Sequence, residues 1–331
     1  MASQAESVTM NLRKIMLAAC LILAGAGWGS QLWAQSVAPS AQGTHYTEKG
    51  ADTCLTCHDE DSSGPGFSFK AVFQGKHGHR ANPKAPFGPQ GLQCEACHGP
   101  GANHAAKGSK KTATINSFKK DSFLSVKDRN QACLGCHQGQ ARSAWHVGAH
   151  ERNDVACTDC HKIHADGVDA VLTKATQPQV CFTCHKNQRA DFQKASSHPV
   201  KFGKMTCSDC HNPHGSTAVA MLNKPTVNQT CFSCHADKRG PLLWEHAPVA
   251  EDCSNCHTPH GSVRNALLNK TPPLLCQQCH SPQGHPSVAR TPSALPANGG
   301  GAAVFVTAGS CTNCHSQVHG SNHPQGRKLM R

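Results

Sequence analysis

Twenty of the 21 cysteines stand in C-x-x-C pairs, and each pair is followed at once by a histidine. The pairs are Cys54 and Cys57, Cys94 and Cys97, Cys133 and Cys136, Cys157 and Cys160, Cys181 and Cys184, Cys207 and Cys210, Cys231 and Cys234, Cys253 and Cys256, Cys276 and Cys279, and Cys311 and Cys314. Their histidines are His58, His98, His137, His161, His185, His211, His235, His257, His280 and His315. Two thiols at this spacing can form thioethers to the two vinyl groups on one edge of a porphyrin. The adjoining histidine then lies over one face and reaches the iron. This is the attachment signature of c-type haem, and ten copies call for ten haem c groups. Zinc ribbons also use C-x-x-C knuckles, but zinc does not need a histidine after every second cysteine. Disulfide scaffolds have even cysteine counts, but they do not place each cysteine in a three-residue pair.

An iron held this way needs a sixth ligand. Beyond the motif histidines, 14 of the 24 histidines remain, against three methionines outside the leader: Met205, Met221 and Met330. Histidine on both faces is therefore expected throughout. Methionine ligation raises haem potentials, so a low-potential set follows, with Met205 and Met221 read as packing residues.

The spare histidines follow an internal duplication. From Cys181 the chain reads C-F-T-C-H, then His198, then C-S-D-C-H-N-P-H-G-S; from Cys231 it reads C-F-S-C-H, then His246, then C-S-N-C-H-T-P-H-G-S. Relaxed, the unit is a motif, a loop histidine, a second motif and a tail histidine, and it recurs five times. The loop histidines are His77, His150, His198, His246 and His285. The tail histidines are His104, His164, His214, His260 and His319. These ten are the candidate distal ligands. His45, His79, His146 and His323 are left for surface or propionate contacts, although His323 could replace His319, and His146 or His79 its neighbour.

His164, His214 and His260 lie three residues after a motif histidine already committed to its own haem. On one short helix such a residue points away from that iron, so each is expected to serve a different haem.

The rest of the chain must position this set. Only 37% of the 331 residues are apolar and 5% aromatic, with 29 Gly and 20 Pro, too little for an ordinary core. The expected fold is a multihaem cytochrome c: short α-helices and loops wrapped around ten haems, little β, in an elongated repeat-like array. Arg13 and Lys14 ahead of the apolar run from Ile15 to Gly29 read as a Sec signal peptide over residues 1–34. That leaves residues 35–331 as the decahaem domain, divisible into two pentahaem lobes over about 35–195 and 196–331. Residues 59–93, 99–132 and 286–310 read as surface loops from their composition. The formal charge of +12 offsets roughly twenty haem propionates, ionised at neutral pH. No nucleic-acid motif is present.

The whole span after the leader resembles the MtrA family of periplasmic decahaem cytochromes, with its DmsE, MtoA and PioA members. The resemblance rests on the order and spacing of the ten motifs and on three stretches. These are Cys207-Ser-Asp-Cys-His-Asn-Pro-His-Gly-Ser216, Lys238-Arg-Gly-Pro-Leu-Leu-Trp-Glu-His-Ala-Pro248 and Ser316-Gln-Val-His-Gly-Ser-Asn-His-Pro324. The resemblance implies a periplasmic protein threaded into an outer-membrane β-barrel porin. It implies a periplasmic or inner-membrane cytochrome as donor or acceptor, and an extracellular multihaem cytochrome or reductase outside. Electrons would run outward to metal oxides or sulfoxides, or inward from ferrous iron. The alternatives are a soluble periplasmic shuttle to a terminal reductase and, further off, a multihaem redox enzyme. An enzyme needs an open iron position. No motif here replaces its histidine with lysine, and the single tyrosine, Tyr46, lies outside every motif, so no catalytic residue is expected.

Overall fold

Each C-x-x-C-H motif folds as one helical turn. In all ten, the histidine backbone N–H donates to the carbonyl of the leading cysteine, at 2.8–3.1 Å. This is the four-residue bond of an α-helix. Residues three and four apart share one helix face, so both sulfurs and the imidazole leave the turn on the same side. The computed structural model describes residues 44–59, 68–106, 115–281 and 311–331. The leader expected over residues 1–34, the loop 286–310 and His285 lie outside the described residues.

The two motifs of a unit sit in different local structures. The leading cysteine of the first motif lies in an α-helix: Ala51–Leu55, Val126–Leu134, Gln177–Phe182, Val227–Phe232 or Leu274–Gln277. Ser125 accepts from the Asp128 N–H and Thr226 from the Gln229 N–H, capping two of these helices, and Pro178 opens a third. The second motif has only a single turn: Glu95–His98, Cys157–Cys160, Cys207–Asp209, Cys253–Asn255 or Cys311–Asn313. Asp159 and Asp209 close two of these turns by accepting from the Ala156 and Thr206 N–H groups.

Buried amides tie the two motifs together. Asn130 donates to the Val155 carbonyl at 3.0 Å and accepts from the Cys157 N–H at 2.8 Å. Asn228 repeats this with the Val249 carbonyl at 2.9 Å and the Cys253 N–H at 2.7 Å. Both sit three residues ahead of a first-motif cysteine. An unpaired buried amide is costly, so these bonds fix the second motif against the first.

Successive units meet through close backbone approach. A Cβ on Gly215 would lie 2.1 Å from the Ala144 carbonyl oxygen, and one on Gly261 would lie 2.0 Å from that of Asp191. This accounts for the glycine in the repeated H-G-S. Next to it, Ser196 and Ser262 pair through an isolated bridge, as do Trp244 and Ser321.

Among the described residues there are no strands beyond such isolated bridges. The stretches 59–93 and 99–132 hold more order than their composition suggests: helices Lys70–Gln74, Ala102–Ala105 and Val126–Leu134. The Ser125 cap and the second-motif contact of Asn130 stabilise the longest of them. Apolar burial is sparse. Among the described residues, three of the nine buried apolar side chains are alanines, and the one cluster is Phe182, Phe192 and Val200, with Met205 against it. Met205 is thus a packing residue. Among the described residues no helix is long and apolar enough to cross a membrane.

Candidate functional site

The motif cysteines form a ladder in chain order. Within each unit the two leading cysteines share a hydrogen bond or close contact: Cys54 with Cys94, Cys133 with Cys157, Cys181 with Cys207, Cys231 with Cys253, and Cys276 with Cys311. Between units the trailing cysteines lie within electrostatic reach of one another: Cys97 of Cys136, Cys160 of Cys184, Cys210 of Cys234, and Cys256 of Cys279. Each motif therefore neighbours the one before it and the one after it in sequence.

The imidazoles pair across units. Nine motif histidines each face one spare histidine, with ring centroids 5.9–6.3 Å apart: His58 with His104, His98 with His164, His137 with His77, His161 with His214, His185 with His150, His211 with His260, His235 with His198, His257 with His319, and His280 with His246. Rings in direct contact here range from Phe73 and Phe87 at 4.9 Å to Phe182 and Phe192 at 6.1 Å, whereas the histidine pairs hold one narrow spacing nine times over. Two metal–nitrogen bonds of about 2 Å each, with about 1.1 Å from each nitrogen to its ring centre, span about 6 Å. The gap fits one iron ligated on both faces.

The pairing follows a rule. Each loop histidine from His77 to His246 faces the first-motif histidine of the next unit. Each tail histidine from His164 to His319 faces the second-motif histidine of the previous unit. Unit one has no predecessor, and its tail His104 turns to its own first motif, at His58. His164, His214 and His260 thus stand opposite histidines of other motifs, but not because of a shared helix. The turn ends at the motif histidine, where His161 is extended at φ −95° and ψ 133°. The backbone then runs through Ile163, Pro213 or Pro259 against the previous unit.

Backbone carbonyls set the ring orientation. His150 Nδ1 donates to Pro213 O at 2.7 Å, His198 to Pro259 O at 2.7 Å and His246 to Val318 O at 2.9 Å. Each acceptor directly precedes a tail histidine, so one junction orients two rings. On the second motifs, His98 donates to Asn116 O at 2.8 Å, His211 to Ala220 O at 2.8 Å, His257 to Ala266 O at 2.7 Å and His315 to Lys328 O at 2.7 Å. An oxygen that can only accept places the proton on Nδ1 and leaves Nε2 for a metal. Burial pushes His98, His137, His164, His260 and His319 below the usual histidine range, and His214 down to about 4. Buried neutral imidazole is the form that ligates.

Facing rings and cysteine edges line one continuous cavity of 5140 Å³ running from Cys97 to Cys314. Among the described residues no three His, Cys, Asp or Glu side chains converge as they would on a bare metal ion. Thioether-bound porphyrin carrying an iron between two imidazoles fits the donor set.

The four remaining histidines face no motif histidine among the described residues. His146 bonds Glu151, His45 bonds Thr44, and His323 accepts from Trp244 through its carbonyl and from Gln325 through Nδ1. His79 caps the turn at Lys76–Gly78. Two acidic residues at the site escaped the sequence reading. Asp169 accepts from His161 Nδ1 at 2.9 Å. Buried Glu95 accepts from Gly101 N at 2.7 Å, Thr47 N at 3.0 Å and Thr47 Oγ1 at 2.8 Å. A repeat-by-repeat comparison would have raised Asp169, which stands where Val219 and Asn265 stand in later units.

The sequence is similar to those of known cytochromes. A family described as a doubled CXXCH motif matches residues 198–240 and 246–285, and one described as cytochrome c-type protein NrfB-like matches residues 94–174. The multiheme cytochrome MtrA of Shewanella baltica (strain OS185) is 46% identical over 287 residues, 87% of this chain and 83% of that protein. The cytochrome c-type protein NrfB of Escherichia coli O6:H1 is 26% identical over 36% of this chain and 62% of its own length. That of Haemophilus influenzae is 27% identical over 34% of this chain and 52% of its own length.

Proposed function

The chain belongs to the MtrA family of multihaem cytochromes, an electron-transfer family, and from that premise we propose that it conducts electrons through ten haems across an outer membrane, inside a β-barrel porin. The observation that carries this reading is the cysteine ladder. Motifs that neighbour one another in sequence order would set the porphyrins in chain order, as a conduit across a hydrocarbon core of roughly 30 Å requires.

In this reading the twenty motif cysteines bind ten haems covalently. Each of the nine facing histidine pairs holds one iron, and His285 is left for His315. Every iron is then closed on both faces. The bound haems supply one-electron chemistry, and the polypeptide holds them and sets their potentials. With no open position the chain is a wire rather than an enzyme. Residues 1–34 direct export, and residues 35–331 act in the periplasm as one decahaem domain.

Polar loops cannot face lipid, where unsatisfied backbone is prohibitive. A large barrel with a polar interior supplies the missing outer surface. A periplasmic or inner-membrane cytochrome then contacts one end, and an extracellular multihaem cytochrome or reductase the other. The NrfB-like match over residues 94–174 favours a second reading, a soluble periplasmic shuttle.

Liposomes loaded with a reduced dye and given an external oxidant separate the two. The cytochrome alone, or its barrel alone, leaves the dye reduced, and the pair oxidises it quickly. Discharge by the cytochrome unaided, or failure of any barrel to bind it, sinks the conduit and leaves the shuttle.

A further inference from the structure

Nine paired or motif histidines among the described residues have a defined Nδ1 acceptor, and eight of these acceptors are backbone carbonyls. The ninth histidine, His161, instead donates to the carboxylate of Asp169, Oδ2 at 2.9 Å. Asp169 is mostly buried, with 11% of its side chain exposed. Its other oxygen accepts from the Val171 N–H at 3.4 Å, which anchors the carboxylate against the turn Ala170–Leu172.

The exception is built into the repeat. Ala170 follows His161 by the same nine residues as Ala220 follows His211 and Ala266 follows His257. Ala220 and Ala266 adopt left-handed φ of 51° and 55° to aim their carbonyls at the imidazole. Such φ is disfavoured for a non-glycine residue. The Ala170 carbonyl turns away and accepts from Thr176 Oγ1. Gly167, at φ 102°, re-routes the loop, and the residue before Ala170 takes over the acceptor role with a full negative charge.

A carboxylate makes a stronger hydrogen bond than a neutral carbonyl. It pulls the Nδ1 proton and makes Nε2 a more basic donor. A more basic axial ligand stabilises ferric over ferrous iron, one of the levers by which a protein sets haem potential. We propose that Asp169 is a positioning residue that lowers the potential of the haem attached at Cys157 and Cys160. That haem becomes the low-potential member of the five second-motif sites and an uphill step within the row. Its reduction adds one electron to the iron and breaks no bond; the proton stays between His161 and Asp169.

The proposal rests on His161 and His214 holding an iron, and the mass of the loaded protein tests the haem count separately. The experiment is a potentiometric titration of the full ten-haem protein against Asp169→Asn, which keeps an acceptor oxygen and removes the charge. Asp166→Asn, an exposed carboxylate three residues earlier, controls for charge at a distance. Fixed charges elsewhere cancel in the comparison. One one-electron component should move to higher potential in D169N, with the rest superimposed, and none should move in D166N. The near-infrared charge-transfer bands of the unmodified protein give an independent reading. One haem should absorb at shorter wavelength than the others and join them in D169N. The proposal is overturned if no component rises in D169N, or if D166N raises it equally. Should D169N fail to load ten haems, the absence of the short-wavelength band in the unmodified protein is sufficient to reject it.

Discussion

His214 stands opposite His161 with the two rings in near-parallel planes, 6.1 Å between centroids and 8° between planes, although it follows His211 by three residues. The histidine nearest in sequence is thus not its partner. The partner belongs to the preceding unit, and one imidazole bridges the two. Replacing it should open a single iron.

In the unmodified protein, carbon monoxide added after reduction should barely shift the Soret band. In His214→Ala, one haem should become high-spin and bind carbon monoxide while the rest do not respond. His146→Ala, at a histidine that bonds Glu151 and faces no motif histidine among the described residues, should behave like the parent. Carbon monoxide binding by several haems in the parent would contradict the closed ligand set.

Ring planes give a second signature. His77 and His137 are nearly perpendicular at 86°, whereas His58 with His104 and His257 with His319 lie at 12° and 10°. Perpendicular axial imidazoles leave the iron orbitals near-degenerate and give a highly anisotropic low-spin resonance; parallel ones give a rhombic signal. Electron paramagnetic resonance of the oxidised protein should show both classes. His77→Ala should remove an anisotropic component and leave the rhombic ones intact.

Gly261→Ala should destabilise the loaded protein. The new methyl would meet the Asp191 carbonyl 2.0 Å away, and overpacking of this kind costs about 1–3 kcal/mol. Gly139→Ala, where a Cβ meets nothing within 4 Å, is the control. Thermal unfolding should show a lower midpoint for the first and no loss for the second; equal midpoints would mean that the junction yields without cost.

Glu95→Ala should loosen the first unit. It strands the Thr47 and Gly101 N–H groups in a buried pocket, at about 1–3 kcal/mol for each donor left unsatisfied. Faster proteolysis between residues 44 and 59, with haem content unchanged, is the expected result. An unchanged digestion pattern would show that water replaces the carboxylate.

Much of this was legible because covalent chemistry is spelled out in residue order. The motifs, the repeat and the ten distal candidates come from spacing alone, and the structure sets nine of those candidates opposite motif histidines. The direction of each reach was not legible. Nothing local tells His150 to meet His185 ahead of it, or His164 to meet His98 behind it; the junction glycines and the carbonyls before each tail histidine settle that. A helical reading of the tail gave the right separation from the home motif for the wrong reason, since the helix stops at His161. Asp169 and Glu95 stayed hidden because a single carboxylate among polar loops has no pattern until its partner is located.

The pairing of His58 with His104 at the first unit has a consequence for how such chains can change length. Everywhere else the described pairs join one unit to the next. Cutting the chain between two units would leave one iron short of a histidine and one histidine short of an iron, both in the last unit kept. The first unit meets the mirror image of this situation and resolves it by joining the two leftovers. Whole units can therefore be gained or lost by duplication or deletion without orphaning a ligand, each event changing the row by two haems. A splice inside a unit has no such remedy, so selection on gene length should favour steps of one full unit.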